Sequence, residues 1–546
     1  MRLKRAAIRL APNWLKFLNP LPEHSMPQPN LLFVMTDQQK ATSLDLYNSG
    51  VNAVETQAIR EIAEAGTRFD AAYCPYPLCV PSRIAMLTGQ YPSHTGFVGN
   101  KPEMGKRADS LFPHLHRHGY RTMLVGKDHA HATPVNGDPS QAMDGLFDRY
   151  YRASHNARMS DETNRDQPHI EPFLKNTEEL HQLWGSATAP WDADDSLSAE
   201  LSRRACGFLD QWDRDDRPHD RPFAMWLSYP DPHEFYQAPR DAVEAIDPES
   251  IALYPNEDSD IEQRAEYIRF MHWYFNAGGV PEDVRRRLTR VYLAMCKNVD
   301  DQLLRVFDRL RDLGQWDNTV IVFLSDHGDL TGEHGLLQKF NCGYDGCCRV
   351  PMLIAAPGRT LSGRASANPV NLVDVSPTLC DLLDVEPWTG MQGHSLAPLL
   401  LDGNAAELPA YTVVESGLPG EHLTTADIRN FPEHRWDVQP EGRWCYDPPH
   451  RFGGRMYAVR SERYKLIVRE QDRLELYDMT NDPWERRNVA DRDDLRGVVI
   501  EHMQSLADHL GRIIPMQSGT RIAQQDAIYQ AGGGRTWRES LDAARA

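Results

Sequence analysis

Long apolar runs are missing from this 546-residue chain. No stretch approaches the roughly 20 consecutive apolar residues that a membrane-spanning helix needs, so no span is expected. The first 20 residues carry Arg2, Lys4, Arg5, Arg9 and Lys16 with no acid, yet they lack the apolar centre of a signal peptide. Leu10, Trp14, Leu15 and Phe17 would line one face of a short segment interrupted by Pro12. That segment reads either as a surface or subunit-docking arm, through which copies of the chain would associate, or as a frayed terminus. Met26 is an alternative start. A surplus of basic residues is also missing: 59 Lys and Arg stand against 78 Asp and Glu, a net charge of −19. Nucleic acid is therefore not an expected partner, because phosphate binding needs a basic face. An anionic substrate would have to be drawn by a local cationic pocket. Cysteine is sparse and scattered, at positions 74, 79, 206, 296, 342, 347, 348, 380 and 445. Their odd number and irregular spacing form no disulfide framework and point to a reducing, cytoplasmic location. Cys342, Cys347 and Cys348 lie close together, but no Cys or His pair at finger spacing supports a structural zinc.

What remains is ordinary for a soluble globular protein: 41% apolar and 25% charged residues. The length suits one large domain and a smaller one. Four buried-looking strands each end in polar residues. Leu31–Thr36 runs into Asp37-Gln38, Tyr120–Val125 into Gly126-Lys127-Asp128-His129, Phe223–Ser228 into Asp231-Pro232-His233, and Thr319–Ser325 into Asp326-His327-Gly328-Asp329. Polar groups just past the carboxyl ends of buried strands are where open α/β sheets bind ligands. Lys127 and His129, at i and i+2 on an extended segment, would project to the same side. A long amphipathic helix is expected over 283–313, with Val291, Leu293, Met295, Leu303, Val306, Phe307 and Leu310 on its apolar side. Residues 150–215 read as an irregular surface excursion with one helix near 197–212.

The segment Cys79-Val80-Pro81-Ser82-Arg83-Ile84-Ala85-Met86-Leu87-Thr88-Gly89 reads as a short helix beginning at Cys79. Pro81 suits its first turn and Gly89 a left-handed stop. Cys79 would sit at the positive end of the helix dipole, where a thiolate or another anion is favoured, and Arg83 would point back at the same place. The plain alternative is a buried structural Cys beside an unrelated Arg. The Cys–Arg spacing is too short for the phosphate-binding loop of cysteine phosphatases.

This stretch resembles the type I sulfatase signature C-x-P-S-R-x-x-x-L-T-G at every fixed position. Asp326-His327-Gly328-Asp329, Gly332-Glu333-His334-Gly335 and Lys339 fit the same family's second signature, and Gly126-Lys127-Asp128-His129 its Gly-Lys-x-His motif. Arg349–Ile354 and Asp374–Thr378 match weaker family landmarks, read as scaffold. The resemblance covers roughly residues 30 to 512. It implies an alkaline-phosphatase-like α/β fold, with a large, mixed, mostly parallel sheet flanked by helices and a smaller C-terminal α+β subdomain. The expected divisions are a basic arm at 1–29, a catalytic domain at 30–402, a subdomain at 403–515 and a tail at 516–546. Short strands at 458–460 and 464–468 and a helix near 494–512 belong to that subdomain.

The resemblance also implies the chemistry. Cys79 would be oxidised by a separate maturase to formylglycine, whose hydrated aldehyde attacks the sulfur of a small sulfated substrate. Asp37, Asp326, His327 and the modified residue 79 would share one divalent cation. The family's calcium sites commonly carry a second Asp and an Asn where this chain has Gln38 and His327. Imidazole shifts the preference from Ca²⁺ toward Mn²⁺, and Gln38 is either a weak ligand or a substrate contact. Arg83 would hold the hydrated formylglycine, and Lys127 and Lys339 would neutralise sulfate oxygens. His233 would be the general acid toward the leaving alcohol, and His129 the base that accepts a proton from the second diol oxygen. Asn100 is either a turn residue or a substrate contact, as in several relatives.

The competing readings are a phosphonate monoester or phosphodiester hydrolase on the same scaffold, and an inactive relative that only binds sulfated ligands. The phosphonate hydrolases resembling this chain carry uncharged hydroxyl residues where Lys127 and His129 stand. A two-zinc phosphatase would need a second set of Asp and His ligands, which is not found.

Overall fold

A computed structural model of the chain describes residues 28–47, 50–100, 104, 109–131, 146–152, 185–216, 220–256, 261–275, 280–406, 408–420, 423–430 and 453–513. The expected terminal arm (but for its last two residues), Met26 and the 516–546 tail lie outside these residues, as do 153–184 of the expected excursion.

Eight strands form the central sheet: β1 (Asn30–Thr36), β2 (Thr67–Phe69), β3 (Arg121–Gly126), β4 (Arg149–Arg152), β5 (Phe223–Ser228), β6 (Thr319–Ser325), β7 (Met352–Ala355) and β8 (Arg364–Ser366). Their spatial order is β8-β2-β7-β6-β1-β5-β3-β4. All pairings are parallel except the two made by β7. Every residue of β1, β5 and β6 is buried, as expected of strands covered on both faces. This is the mixed, mostly parallel sheet expected from the sequence.

The strand period of two sorts side chains between two cores. Leu31, Phe33 and Met35 of β1 face one core, with Val80, Ile84 and Leu87 of helix α2 (Cys79–Thr88). Leu32 and Val34 face the other, with Ile59 and Ile62 of α1 (Gln57–Ala65), Leu201 and Leu209 of α3 (Leu197–Asp215), and Leu303 and Phe307 of α4 (Glu282–Asp312). All seven apolar residues expected on α4 are buried.

Helix α4 also caps α1. Thr56, at the cap position of α1, makes no side-chain cap bond. Instead Asp300 accepts from the backbone N–H groups of Gln57 at 2.7 Å, Ala58 at 3.3 Å and Ile59 at 2.9 Å. A carboxylate at a helix N-terminus satisfies otherwise orphaned donors and favours the dipole. Asp300→Ala is expected to lower unfolding stability by about 1–2 kcal/mol, the usual worth of a lost N-cap, with Asp300→Asn losing less. Thermal unfolding of the two variants checks this.

A separate antiparallel meander lies near the C-terminus: β9 (Thr412–Ser416), β10 (Met456–Arg460), β11 (Tyr464–Arg469) and β12 (Glu475–Asp478). Leu506 of α5 (Arg496–Ile513) packs on Val413 and Val459. Lys465 of β11, fully buried, reaches Asp345 at 2.7 Å and also pairs with Glu485. The meander is thereby tied to the segment that follows β6. Within the expected irregular excursion, β4 joins the central sheet and residues 186–188 pair in parallel with 236–238. These strands are too short to announce themselves in sequence.

Candidate active site

The parallel neighbours β6, β1, β5 and β3 all present their carboxyl ends on one edge of the sheet. Asp326-His327, Asp37, His233 and Lys127 follow these ends, so topology alone gathers groups some 300 positions apart in the chain, from 37 to 327. Helix α2 points its first residue at the same place. It starts at Cys79 and ends at Gly89, whose φ of 67° and ψ of 23° make the left-handed stop expected. Ser82 Oγ donates to the Asp326 carbonyl at 2.5 Å, and Ser376 Oγ to the Met86 carbonyl at 2.7 Å, which fixes the helix over the strand ends.

Arg83, fully buried, is the hub of the site. Its Nη2 donates to Asp37 Oδ2 at 2.8 Å and its Nε to Asp326 Oδ2 at 2.7 Å. Its Nη1 donates to the Lys127 carbonyl at 2.8 Å and to Ser228 Oγ at 3.0 Å. The expected role was a direct hold on residue 79; the geometry commits the guanidinium to the two carboxylates. Lys127 Nζ lies 2.5 Å from Asp37 Oδ2 and 3.9 Å from Cys79 Sγ. Burial pushes the Asp37 carboxyl up, but Lys127 and Arg83 outweigh it and hold it well below the usual range.

Asp37, Cys79, Asp326 and His327 each offer a ligand atom, all within 4.8 Å of one another and all buried. Nδ1 of His327 lies 3.0 Å from the Gly328 carbonyl, so it carries the proton and donates. Nε2 lies 3.2 Å from Cys79 Sγ and is the nitrogen left to face a cation. A ring oriented through its far nitrogen is the usual preparation of a metal-binding histidine. Two carboxylates, an imidazole and the residue-79 side chain fit one divalent cation. Among the described residues no other group of this kind is present.

Lys127 and His129 converge on the cluster, but not as an extended pair. Gly126 takes a φ of 103°, and a Cβ there would lie 1.9 Å from the Ser228 carbonyl oxygen. His129 itself has a φ of 51°, so a turn and not strand alternation aims the two side chains. The intervening Asp128 turns away to His131 at 2.9 Å. Nδ1 of His129 is buried without a hydrogen-bond partner among the described residues. Burial, with Lys127 and Arg83 nearby, holds its pKa well below the ordinary value.

Lys339 Nζ donates to Gln38 Oε1, lies 2.6 Å from His233 Nε2, and reaches Glu234 Oε1 at 3.1 Å. Gln38 is fixed by donation from its Nε2 to Asp329 Oδ2 at 2.6 Å, where Tyr236 also donates at 2.7 Å. Its amide oxygen therefore faces Lys339 and does not join the four-donor cluster. Asn100 is exposed, and its Oδ1 accepts from the Val80 N–H at 3.4 Å, beside the mouth of the site. His334, within the second signature, serves the scaffold: it bonds Asn256 at 3.1 Å and packs, tilted, against the Tyr344 ring. Glu234, Asp329 and Tyr236 are site residues that no sequence motif assigned a role. Glu234 had one local signal, its position immediately after the strand-end His233.

A doubly covered α/β sheet with a buried two-carboxylate, imidazole and cysteine cluster at its carboxyl edge, with Lys127 and Lys339 nearby, suits a hydrolase of anionic esters. Residues 29–385 match the family model described as Sulfatase, and the chain belongs to that family. It is 27% identical over 491 residues to the uncharacterized sulfatase YidJ of Escherichia coli K12, covering 89% of this chain and 88% of that one. It is 28% identical over 478 residues to the choline-sulfatase of Rhizobium meliloti, covering 85% and 83%. Among solved structures, the phosphonate monoester hydrolase of Silicibacter pomeroyi superposes with a TM-score of 0.71 at 22% identity, covering 90% and 96%, which shows a shared fold. The protein is a sulfatase, an enzyme of sulfate ester hydrolysis.

Proposed function

We propose that this sulfatase cleaves small sulfate monoesters with a formylglycine formed from Cys79 by a maturase and with one divalent cation. The observation that carries the reading is the meeting of Cys79, at a helix N-terminus, with Asp37, Asp326 and His327. Formylglycine supplies a hydrated aldehyde as the oxygen nucleophile, and the cation supplies Lewis-acid polarisation of sulfate oxygens. Asp37, Asp326 and His327 hold that cation, with residue 79 completing the set. His327 favours manganese over calcium, which prefers all-oxygen shells.

The remaining work falls to the chain's own cations. Arg83 locks both carboxylates in place by paired donation. Lys127, beside Asp37 and Cys79, and Lys339, beside His233, neutralise sulfate oxygens as preorganised charges. His129, its pKa held down by burial and by Lys127 and Arg83, is neutral at pH 7, and its lone pair is the one that accepts a proton from the nucleophile. His233 and Lys339, 2.6 Å apart, face the leaving-group side.

The same charges separate this reading from a phosphonate hydrolase. A sulfate monoester offers three non-bridging oxygens to the cation and the lysines. A phosphonate or diester replaces one with carbon or an alkoxy group, leaving a buried ammonium against it, and an unpaired buried charge is costly. Sulfate esters are expected to exceed phosphonate monoesters in kcat/KM, and Lys127→Ala is expected to narrow that gap by hurting sulfate more. Protein co-expressed with a maturase and tested on matched phenyl esters decides the point. A wild-type preference for the phosphonate would reverse the assignment.

A further inference from the structure

Glu234 has no part in the chemistry so far, yet it touches both groups on the leaving-group side. It follows His233 directly in the segment after β5, and only 4% of it is exposed. Its carboxylate accepts from Lys339 Nζ at 3.1 and 3.3 Å. The same carboxylate lies 3.3 Å from His233 Nδ1, and the Glu234 backbone carbonyl lies 2.6 Å from that nitrogen.

These contacts fix where protons lie. A carbonyl oxygen cannot donate, so the 2.6 Å contact puts the imidazole proton on Nδ1. Nε2 therefore carries the lone pair, and the Lys339 ammonium donates to it. The three N–H groups of Lys339 are matched by three acceptors: Gln38 Oε1, His233 Nε2 and Glu234. An ammonium among two neutral acceptors in a buried site needs an anion to hold it, and Glu234 is the carboxylate in direct contact with it.

We propose that Glu234 is the positioning residue of the leaving-group acid. It anchors the Lys339 ammonium beside the His233 ring, so that an N–H now given to Gln38 Oε1 or His233 Nε2 can turn to the departing oxygen while the ammonium keeps its place. When the S–O bond to the leaving group breaks, that bond's electron pair stays on the leaving oxygen. One N–H proton passes from the Lys339–His233 pair to that oxygen, and the alcohol leaves neutral. The pair regains its proton from solvent. Glu234 neither donates nor accepts that proton. This inference rests on the sulfate-ester reading above, but it concerns the leaving group and not the group transferred.

The test compares leaving groups. Glu234→Gln keeps the shape and removes the charge. On an alkyl sulfate, whose alkoxide leaves only when protonated, kcat is expected to fall about 100-fold, against about threefold on 4-nitrophenyl sulfate, in keeping with the worth of general-acid catalysis. KM is expected to change little on either substrate. Glu234→Asp, which keeps the charge, is expected to recover most of the alkyl sulfate rate. It also serves as the test variant, with a smaller split, if the Gln variant fails to fold. Equal losses on both substrates, or no loss on either, would overturn the proposal. A wild-type enzyme that hydrolysed only phosphonate esters would overturn the sulfate reading instead. The same pair of leaving groups on a phosphonate would then decide whether Glu234 positions the acid.

Discussion

Cys79→Ala is expected to abolish turnover, by about 10³-fold or more, because it removes the nucleophile on which the remaining groups act in concert. The fold should survive. Cys79 is only 2% exposed, but its side chain is small, and the pairs around it, Arg83 with Asp37 and Asp326, do not depend on it. Peptide mass spectrometry of wild-type protein made with a maturase should show a loss of about 18 Da at residue 79, the change from thiol to aldehyde. Full activity in protein whose Cys79 is unmodified would show that the thiol itself acts. In that case Lys127, 3.9 Å from the sulfur, would stand beside the attacking atom.

The site residues legible in the sequence share one property: each lies in a contiguous motif or just after a buried strand. Asp37, Lys127, Asp326 and His327 follow apolar runs whose period and length mark them as covered strands. Once those strands lie parallel in one sheet, the groups after them must meet. Cys79 and Arg83 are one turn apart on the same helix, so their shared direction is set by the helix itself. Contacts between segments were not legible. Nothing in the neighbourhood of Asp300 says that it caps a helix beginning at Gln57, because that bond depends on how α4 lies across α1. Glu234 meets Lys339 only when the segments after β5 and β6 face one another, and Asp329 meets Gln38 and Tyr236 only when the segments after β1 and β5 close on it.

Lys127 and His129 show a subtler gap. The i, i+2 spacing suggested that the two project together from an extended segment, but Gly126 has a positive φ and no room for a Cβ against Ser228, and His129 has a positive φ as well. A period-two pattern carries no such information. The small strands β2 and β8, three residues each, are likewise set by pairing with neighbours and not by any run of their own. By contrast, β10 and β11 are rich in the β-branched and aromatic residues that suit a half-buried meander, and they were readable.

Asp326→Ala is expected to cost both the metal and the fold's local stability, since two needs converge on that one carboxylate. Its Oδ2 accepts from Arg83 Nε at 2.7 Å, and its Oδ1 accepts from the backbone N–H groups of Gln38 at 3.1 Å and His327 at 2.9 Å. It is also one of the four donors of the candidate cation site. Alanine would leave a fully buried guanidinium with one anchor fewer, and breaking a buried pair from one side costs about 3–5 kcal/mol. Asp326→Asn keeps the shape and the oxygen that accepts from the backbone, so it should lose the metal with a smaller stability loss. Metal analysis should find about one ion per wild-type chain, in keeping with a single ligand cluster, and close to none in either variant. Chemical denaturation should then rank wild type above Asn and Asn above Ala. Retention of the ion by the Ala variant would remove Asp326 from the ligand set. Two tightly held zinc ions in wild type would instead place the site among two-metal phosphatases, and the single-cation scheme would fall.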